Sequence, residues 1–305
     1  MTLPNFLIIG AAKSGTTALY QYLQQHPQIY FSPIKEPKFF AYDGAPPDYR
    51  GPAGDETRQR DFVTELAAYE ALFAGVTGQT AIGEASTLYL YHPRAPERIR
   101  HHIPGAKLIA VLRHPVDRAY SDFLSHTVVA GDGREPLADF GEALQAEAGR
   151  IRDNWWPLWH YQQRGFYHGQ LARYYERFPR SQIKVYLYED LESDAAGLCR
   201  DVFRFLGVDD EVRPDTSLKH NVSGLPRNQR LHDLLTKPHP LKKILKPLLP
   251  DQLRQRLVTR LRSGNLVRPP LPVELRRQLL REYRPDILRL QELIQRDLSN
   301  WLKEP

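Results

Sequence analysis

The feature that most constrains the fold is an apolar run at the amino terminus that leads through a turn of small residues into a helical pattern. The run FLIIG ends at Gly10, and the residues that follow it are AAKSGTT. Gly10 and Gly15 have the spacing of a nucleotide-binding P-loop in a strand–turn–helix context. Such a turn lets backbone N–H groups converge on a phosphate at the positive end of a helix. The sequence therefore predicts a phosphate site, and the alternative is a tightly packed turn that binds nothing.

The position of the lysine distinguishes this turn from the loop of a nucleoside triphosphatase. A Walker-type loop has its lysine directly after the second glycine, where this chain has Thr16. Its lysine is Lys13, inside the turn, where the ammonium group reaches a 5′-phosphate and the atom that bridges it to the next group. It is poorly placed for a distant γ-phosphate. Ser14, Gly15, Thr16 and Thr17 complete the predicted phosphate-binding residues.

Short apolar runs alternate with longer helical patterns along most of the chain. The predicted strands are residues 6–10, 80–83, 107–112 and 182–187. The predicted helices are residues 17–25, 93–102, 115–127, 167–178 and 194–206. Such alternation is typical of βαβ units. We therefore expect an α/β, P-loop-like three-layer fold, in which a mostly parallel central sheet binds ligands at the carboxyl ends of its strands.

A second motif follows the predicted strand 107–112. Arg113 ends the strand, Pro115 opens the next helix at a position that tolerates proline, and Ser121 lies about two turns along that helix. An arginine and a serine in this arrangement can clamp one phosphate from two sides. An NTPase would need an acidic strand end to hold magnesium. The alternative for Arg113 is a plain ion pair at the strand end.

The region after residue 218 differs from the rest of the chain. Residues 42–60 and 219–230 are predicted loops, and eleven lysines and arginines stand against two aspartates between residues 226 and 270. A basic amphipathic helix can contact a membrane surface or a polyanion, whereas a solvated lid is the alternative. Residues 273–301 predict two helices with the apolar positions Leu275, Leu279, Leu280, Leu288, Leu290, Leu293 and Leu298. We expect one domain over residues 1–305, with its core in residues 1–225 and a helical region in residues 226–305.

The amino-acid composition bears mainly on the cellular compartment of the protein. The formal net charge of +6 is mild for a chain of 305 residues and is compatible with an anionic ligand. Cys199 is the single cysteine, so no internal disulfide ties the fold to an oxidising compartment. We expect Cys199 in the core. No apolar stretch approaches the ~20 residues that span a bilayer, and the amino terminus lacks the basic segment of a signal peptide. A cytoplasmic location is expected.

Three ordered motifs resemble one family of enzymes. The turn AAKSGTTAL, the segment KEPKFF at residues 35–40 and the segment LRHPVDRAYSDF at residues 112–123 look like those of sulfotransferases that use 3′-phosphoadenosine 5′-phosphosulfate (PAPS). The similarity extends to GFY at residues 165–167, IKVYLYEDL at residues 183–191 and residues 280–301. The nearest branch contains the heparan sulfate and other Golgi carbohydrate sulfotransferases. The resemblance implies PAPS as co-substrate, adenosine 3′,5′-bisphosphate (PAP) as product, and no metal.

The resemblance also implies roles for individual residues in the donor site. It places the 5′-phosphosulfate on the predicted turn, with Lys13 against the bridging oxygen. Arg113 and Ser121 match the pair that holds the 3′-phosphate. Gly224 and Arg227 resemble part of a second clamp on that phosphate.

The remaining predicted residues concern the acceptor. Glu36 matches the glutamate that removes the acceptor's proton, a task for a positioned carboxylate; the alternative is a surface glutamate paired with a neighbouring lysine. Glu84, Ser86 and Tyr89 follow the predicted strand 80–83 and are expected to line the acceptor site. Ordinary hydrogen bonding within a loop is the alternative for these three residues.

The expected reaction is therefore sulfuryl transfer from PAPS to a hydroxyl or amine of a small molecule or glycan. Without an anchor or disulfides the chain departs from the Golgi enzymes, and a soluble bacterial relative is expected. A P-loop kinase or NTPase is the first alternative, and a polyanion-binding module that uses the basic region is the second. A nucleic-acid partner is not expected, because the basic stretch lacks interleaved aromatic residues.

Overall fold

The computed structural model describes residues 2–51, 62–128, 135–217, 225–226, 266–267 and 269–304. Its main sheet has five strands in the order β2–β3–β1–β4–β5, and every neighbouring pair is parallel. The strands are β1 (Phe6–Gly10), β2 (Ile29–Phe31), β3 (Ala81–Ala85), β4 (Lys107–Leu112) and β5 (Ile183–Leu187). A short antiparallel pair consists of β6 (Leu225–Pro226) and β7 (Leu266–Val267). The predicted parallel sheet is confirmed.

The α-helices in the described part of the chain connect and cover these strands. They are α1 (Thr16–Leu23), α2 (Phe39–Tyr42), α3 (Leu66–Ala71), α4 (Leu88–Tyr91), α5 (Ala95–His102), α6 (Pro115–Val128), α7 (Phe140–Arg152), α8 (Tyr167–Tyr175), α9 (Tyr188–Ser193), α10 (Ala195–Leu206) and α11 (Val273–Ile294). The predicted helices appear with shifts of a few residues at their ends. The sequence did not predict β2, β6, β7, α2, α3, α4, α7 or α9.

The central strand β1 shows why the fold has three layers. All five of its residues are buried, and successive side chains of a strand point to opposite faces of the sheet. Leu7 and Ile9 join a core with residues of α5, α6, α8 and α11. Phe6 and Ile8 join a second core with residues of α1 and α10. The sheet therefore lies between two helical layers, as the sequence predicts.

The carboxyl-terminal helix corrects the prediction of two helices in residues 273–301. The helix α11 runs unbroken through Pro285, and only a 3₁₀ helix (Ser299–Leu302) follows it. Proline removes one backbone donor, but Pro285 lies on the exposed side of α11, where the unpaired carbonyl can meet water. Tyr283 and Ile287 are buried on either side of it and hold both halves of the helix in line. Leu288, a predicted apolar position, is exposed.

Other features concern the chain as a whole. Cys199 is fully buried, as predicted, and burial raises the pKa of its thiol to about 12. None of the helices in the described ranges is long and apolar enough to cross a membrane. Nearly all of the predicted basic region lies outside the described residues.

Candidate active site

The predicted phosphate turn lies at the carboxyl end of β1. Lys13 has a φ of 65° and Gly15 a φ of 85°, so the chain reverses sharply before α1 begins at Thr16. A side chain at position 15 would place its Cβ 2.6 Å from Leu191 Cδ2, which is why glycine is needed there. The first N–H groups of α1 have no intrahelical acceptor. The turn therefore offers these donors, at the positive end of α1, to an anion.

Lys13 lies among several charged side chains at the mouth of the sheet. Burial lowers the pKa of its ammonium group below the usual 10.5. The carboxylate of Asp122 opposes this shift, whereas Arg113, Arg118 and Arg164 reinforce it. Four cationic side chains against one carboxylate make this part of the site electropositive, which suits a ligand with several negative charges.

Arg113 joins the phosphate turn to two further strands. Its Nη1 donates to the carbonyl oxygen of Lys13 at 3.1 Å, and its guanidinium carbon lies 4.4 Å from the ring centroid of Tyr188. Tyr188 is the first residue of α9, directly after β5. The carboxyl ends of β1, β4 and β5 thus meet at one point. Ser121 is buried on α6.

Glu36 faces the phosphate turn from the segment that follows β2. Thr87 Oγ1 donates to Glu36 Oε1 at 3.2 Å. Lys35 Nζ lies 3.5 Å from the same oxygen and donates to Thr17 Oγ1 at 3.1 Å. Glu36 is therefore paired with a neighbouring lysine, as one reading of the sequence expects, but the pair lies at the site and contacts the phosphate turn.

These groups share one cavity of about 930 Å³. Of the sequence-predicted residues, the cavity is lined by Lys13, Gly15, Thr16, Thr17, Glu36, Arg113 and Ser121. Ser14 is fully buried beneath the turn and does not belong to the lining. Gly224 and Arg227 lie outside the described residues. The structure thus brings the candidate donor residues and the candidate base together.

Glu84, Ser86 and Tyr89 occupy a different place from the one expected. All three are buried, and none belongs to the lining of the cavity. Ser86 Oγ accepts a hydrogen bond from the N–H of Lys38 at 3.1 Å, and Tyr89 Oη accepts one from the N–H of Phe40 at 3.3 Å. Ser86 and Tyr89 thus support the backbone of the segment that carries Glu36.

The cavity has further walls that the sequence did not single out. One wall is mainly apolar and consists of Ala18, Tyr22, Tyr188, Leu191, Ala195 and Thr216. The lining also includes Lys38, Ser125, His126, Trp156, Leu158 and Arg164. Lys38 and Tyr188 lie within recognised segments and Arg164 directly precedes one, and that location was an available signal.

Asp122 lines the cavity and forms a buried ionic centre there. Its Oδ2 accepts hydrogen bonds from Arg118 Nη1 at 3.0 Å and from Arg164 Nη1 at 3.2 Å. Burial alone would raise the pKa of Asp122, but Arg164 and Arg118 outweigh it and hold the pKa below the usual value. Arg118 also donates to the carbonyl oxygen of Tyr161. The carboxylate thus fixes two arginines of two different segments.

We expect the substitution Asp122→Asn to lower the free energy of unfolding by about 3–5 kcal/mol, because it leaves two buried guanidinium groups without their counter-charge. Urea denaturation measures this change. The control is Glu274→Gln, which removes an exposed partner of Arg277 and is expected to cost under about 1 kcal/mol. Equal effects of the two substitutions would contradict a structural role for the buried centre.

The fold and the cavity define an α/β protein with an electropositive cavity at the carboxyl edge of a parallel sheet. Residues 4–212 match the model of the sulfotransferase family. This match covers more than half of the chain, and the chain therefore belongs to the sulfotransferase family, as the resemblance of its motifs implies.

Individual relatives agree with this assignment. A crystal structure of a sulfotransferase from Alicyclobacillus acidocaldarius is 36% identical, with a TM-score of 0.76 over 99% of this chain and 100% of that chain. The bifunctional heparan sulfate N-deacetylase/N-sulfotransferase 4 of Mus musculus is 30% identical over 68% of this chain and 22% of its own length. The heparan sulfate glucosamine 3-O-sulfotransferase 3B1 of Mus musculus is 31% identical over 68% of this chain and 46% of its own length. The chain thus matches less than half of the length of these two relatives.

Proposed function

We propose that this protein transfers a sulfuryl group from PAPS to a hydroxyl or amine of an acceptor. One observation carries the proposal: a single cavity brings together Lys13 on the phosphate turn, Arg113 and Ser121 near the end of β4, and Glu36. The turn offers donors to the 5′ end of a nucleotide, and an arginine–serine pair lies beside it. A carboxylate faces both groups. These are the parts that the reaction needs.

The donor would lie with its 5′-phosphosulfate on residues 13–17 and its 3′-phosphate between Arg113 and Ser121. The nucleoside would lie against the apolar wall that includes Tyr22 and Leu191. Gly224 and Arg227 remain a proposed second clamp on the 3′-phosphate. Forked, charge-assisted hydrogen bonds from Arg113 suit a phosphate dianion.

In the reaction, the acceptor oxygen or nitrogen attacks sulfur in line, and the bond between sulfur and the bridging phosphate oxygen breaks. PAP leaves with the electron pair of that bond, so negative charge grows on the bridging oxygen. The ammonium group of Lys13 stabilises this charge more in the transition state than in the ground state. The electropositive surroundings of Lys13 add to the effect.

Glu36 would accept the proton that the acceptor loses as it attacks. Thr87 and Lys35 orient its Oε1, and Lys35 also contacts Thr17 on the phosphate turn. These contacts support a position of the carboxylate beside the proposed sulfuryl group. Positioned general bases contribute about 10²–10⁴-fold to such reactions.

A carbohydrate or glycoconjugate is the proposed acceptor class. Two relatives carry names that describe sulfation of heparan sulfate. The cavity lining also combines Trp156 with Lys38 and Arg164, and an aromatic ring beside polar groups suits a sugar.

A P-loop kinase or NTPase is the weaker candidate. Its lysine would follow Gly15, where Thr16 stands, and its acidic strand end would occupy the position of Arg113. The polyanion-binding alternative depends on residues 226–270, and a salt-dependent gel shift would test it.

Calorimetric titration with PAP in the absence of divalent metal tests the proposed function. We expect PAP to bind more tightly than adenosine monophosphate, because the 3′-phosphate adds charged contacts. Incubation with radiolabelled PAPS and a panel of sugars, amino sugars and aryl alcohols then identifies the acceptor. Equal affinity for nucleotides with and without the 3′-phosphate would reject the proposal and favour the kinase-like alternative.

The variant Arg113→Ala is expected to bind PAP about 10–100-fold more weakly, because a hydrogen bond to a charged group contributes about 1.5–3 kcal/mol. Its affinity for adenosine monophosphate should fall less, because that nucleotide loses only the support that Arg113 gives to the Lys13 carbonyl. Arg276→Ala is the matched control, since Arg276 pairs with Asp117 and does not line the cavity. A parallel loss of affinity for both nucleotides would instead mean that Arg113 only supports the turn.

A further inference from the structure

The segment that carries Glu36 has an unusual backbone. Glu36 has a φ of 61° and Lys38 a φ of 60°, a left-handed conformation that side-chain-bearing residues rarely adopt. Such conformations persist where surrounding contacts enforce them, and they cluster at functional sites. The first of these contacts is the hydrogen bond from the N–H of Glu36 to the carbonyl oxygen of Ala85 at 3.0 Å.

Two side chains hold the rest of this segment. The N–H groups of Lys38 and Phe40 donate to Ser86 Oγ and Tyr89 Oη, respectively. Both acceptors follow the carboxyl end of β3. The conformation of residues 36–40 therefore depends on where these two hydroxyl groups are fixed.

Glu84 fixes both hydroxyl groups from beneath. It is fully buried in β3, and its Oε1 accepts from Tyr69 Oη at 3.2 Å, whereas its Oε2 has no hydrogen-bond partner among the described residues. The hydroxyl groups of Tyr89 and Ser86 lie close enough to stabilise its charged form. A buried carboxyl group is costly unless it is satisfied by hydrogen bonds. This chain keeps one directly behind the segment of the candidate base.

We propose that Glu84 is a positioning residue of the reaction: through Ser86 and Tyr89 it fixes the backbone of residues 36–40 and thereby holds the Glu36 carboxylate at the cavity. This inference rests on the role of Glu36 in the proposed function. It goes further because it assigns a task to a carboxyl group that touches neither substrate.

Ionisation of Glu84 gives this role a measurable signature. Burial raises the pKa of Glu84 to about 7; the hydroxyl groups of Tyr89, Ser86 and Tyr69 partly offset the shift, and the charge of Glu36 adds to it.

The hydroxyl group of Tyr174 on α8 also interacts electrostatically with the Glu84 carboxyl group. The hydroxyl groups of Tyr69 on α3 and Tyr89 on α4 interact with the same group. Above pH 7 Glu84 becomes a second negative charge behind Glu36. Repulsion between the two carboxylates then loosens the segment.

Two variants separate hydrogen bonding from ionisation. Glu84→Leu removes the hydrogen bonds at similar volume, and Glu84→Gln keeps hydrogen-bonding groups but cannot ionise. Asp286→Asn is the matched control, because Asp286 is another buried carboxyl group with a raised pKa, and it accepts from the N–H of His168.

The first measurement is hydrogen exchange of the amides of residues 36–40, and the second is PAP release from PAPS with water as the acceptor. Both are followed from about pH 5 to about pH 9. PAP affinity is measured alongside.

We expect Glu84→Leu to accelerate exchange in residues 36–40 and to slow PAP release, each by about tenfold, the effect of losing a hydrogen bond. PAP affinity should stay within about twofold, because Glu84 does not line the cavity. The wild type should show a transition near pH 7 in both measurements, and Glu84→Gln should lack it. The control Asp286→Asn should keep the transition near pH 7, and the amides of residues 36–40 should exchange at the wild-type rate.

Unchanged exchange in Glu84→Leu, or a transition that persists in Glu84→Gln, would overturn the inference. If Glu84→Leu does not fold, the test uses Glu84→Gln alone. The inference then depends on whether this variant loses the transition near pH 7. Failure of the wild type to bind PAP would reject the proposed function instead. The exchange result would then still report whether Glu84 holds the segment.

Discussion

Replacing Lys13 by alanine is expected to lower kcat for sulfuryl transfer about 10²–10³-fold, the usual cost of removing one group that stabilises developing charge. Alanine and lysine have the same Cβ, so both meet the same backbone demand at a φ of 65°. The substitution therefore tests the ammonium group rather than the turn. Initial rates with radiolabelled PAPS and saturating acceptor measure the effect.

The matched control is Lys107→Ala at the opposite, amino-terminal end of β4, where the lysine lies near the ring of Phe205. This variant should keep wild-type kcat. A loss confined to KM for PAPS, with kcat intact, would contradict the proposed role of Lys13. It would make the lysine a binding group that acts equally on ground state and transition state.

Replacing Glu36 by glutamine is expected to lower kcat by about 10²–10⁴-fold, because the amide cannot accept the acceptor's proton. Glutamine keeps an oxygen that can accept from Thr87, so the segment should hold its shape. PAP affinity should be unchanged, which separates this variant from those of the phosphate turn. Calorimetry and single-turnover rates measure the two quantities.

Glu97→Gln is the control for this substitution, since Glu97 is exposed in the first turn of α5. It should leave kcat at the wild-type level. Retention of activity in Glu36→Gln would mean that another group receives the proton, and His126, which also lines the cavity, would be the next residue to replace.

The parts of the fold that could be predicted are those whose signal is local. β1 and β4 are long apolar runs, and their predicted bounds match the observed ones. β2 has only three residues, too few for a recognisable pattern, and it forms because β3 pairs with it. The sequence predicted two helices in residues 273–301, but one helix runs through Pro285, because packing of residues on both sides of the proline outweighed the lost hydrogen bond.

The residues of the candidate site also divide into those with a local sequence signal and those without one. Lys13, Arg113 and Ser121 lie in contiguous motifs, so their spacing was informative. The pairing of Asp122 with Arg164 joins residues 42 positions apart, and no pattern within either segment indicates it.

The position of Glu84 shows a further limit of sequence-based prediction. A residue at a strand end can point toward the mouth or into the core. Only the packing of Tyr69 and Tyr89 around the carboxyl group decides between these directions.

The hydrogen bond from Arg113 to the Lys13 carbonyl has a consequence for donor fidelity. The side chain proposed to recognise one end of the nucleotide also sets the backbone of the residue that acts at the other end. Loss of the Arg113 side chain would therefore disturb both the contact to the 3′-phosphate and the placement of Lys13. One side chain would couple recognition of the donor to stabilisation of the leaving group.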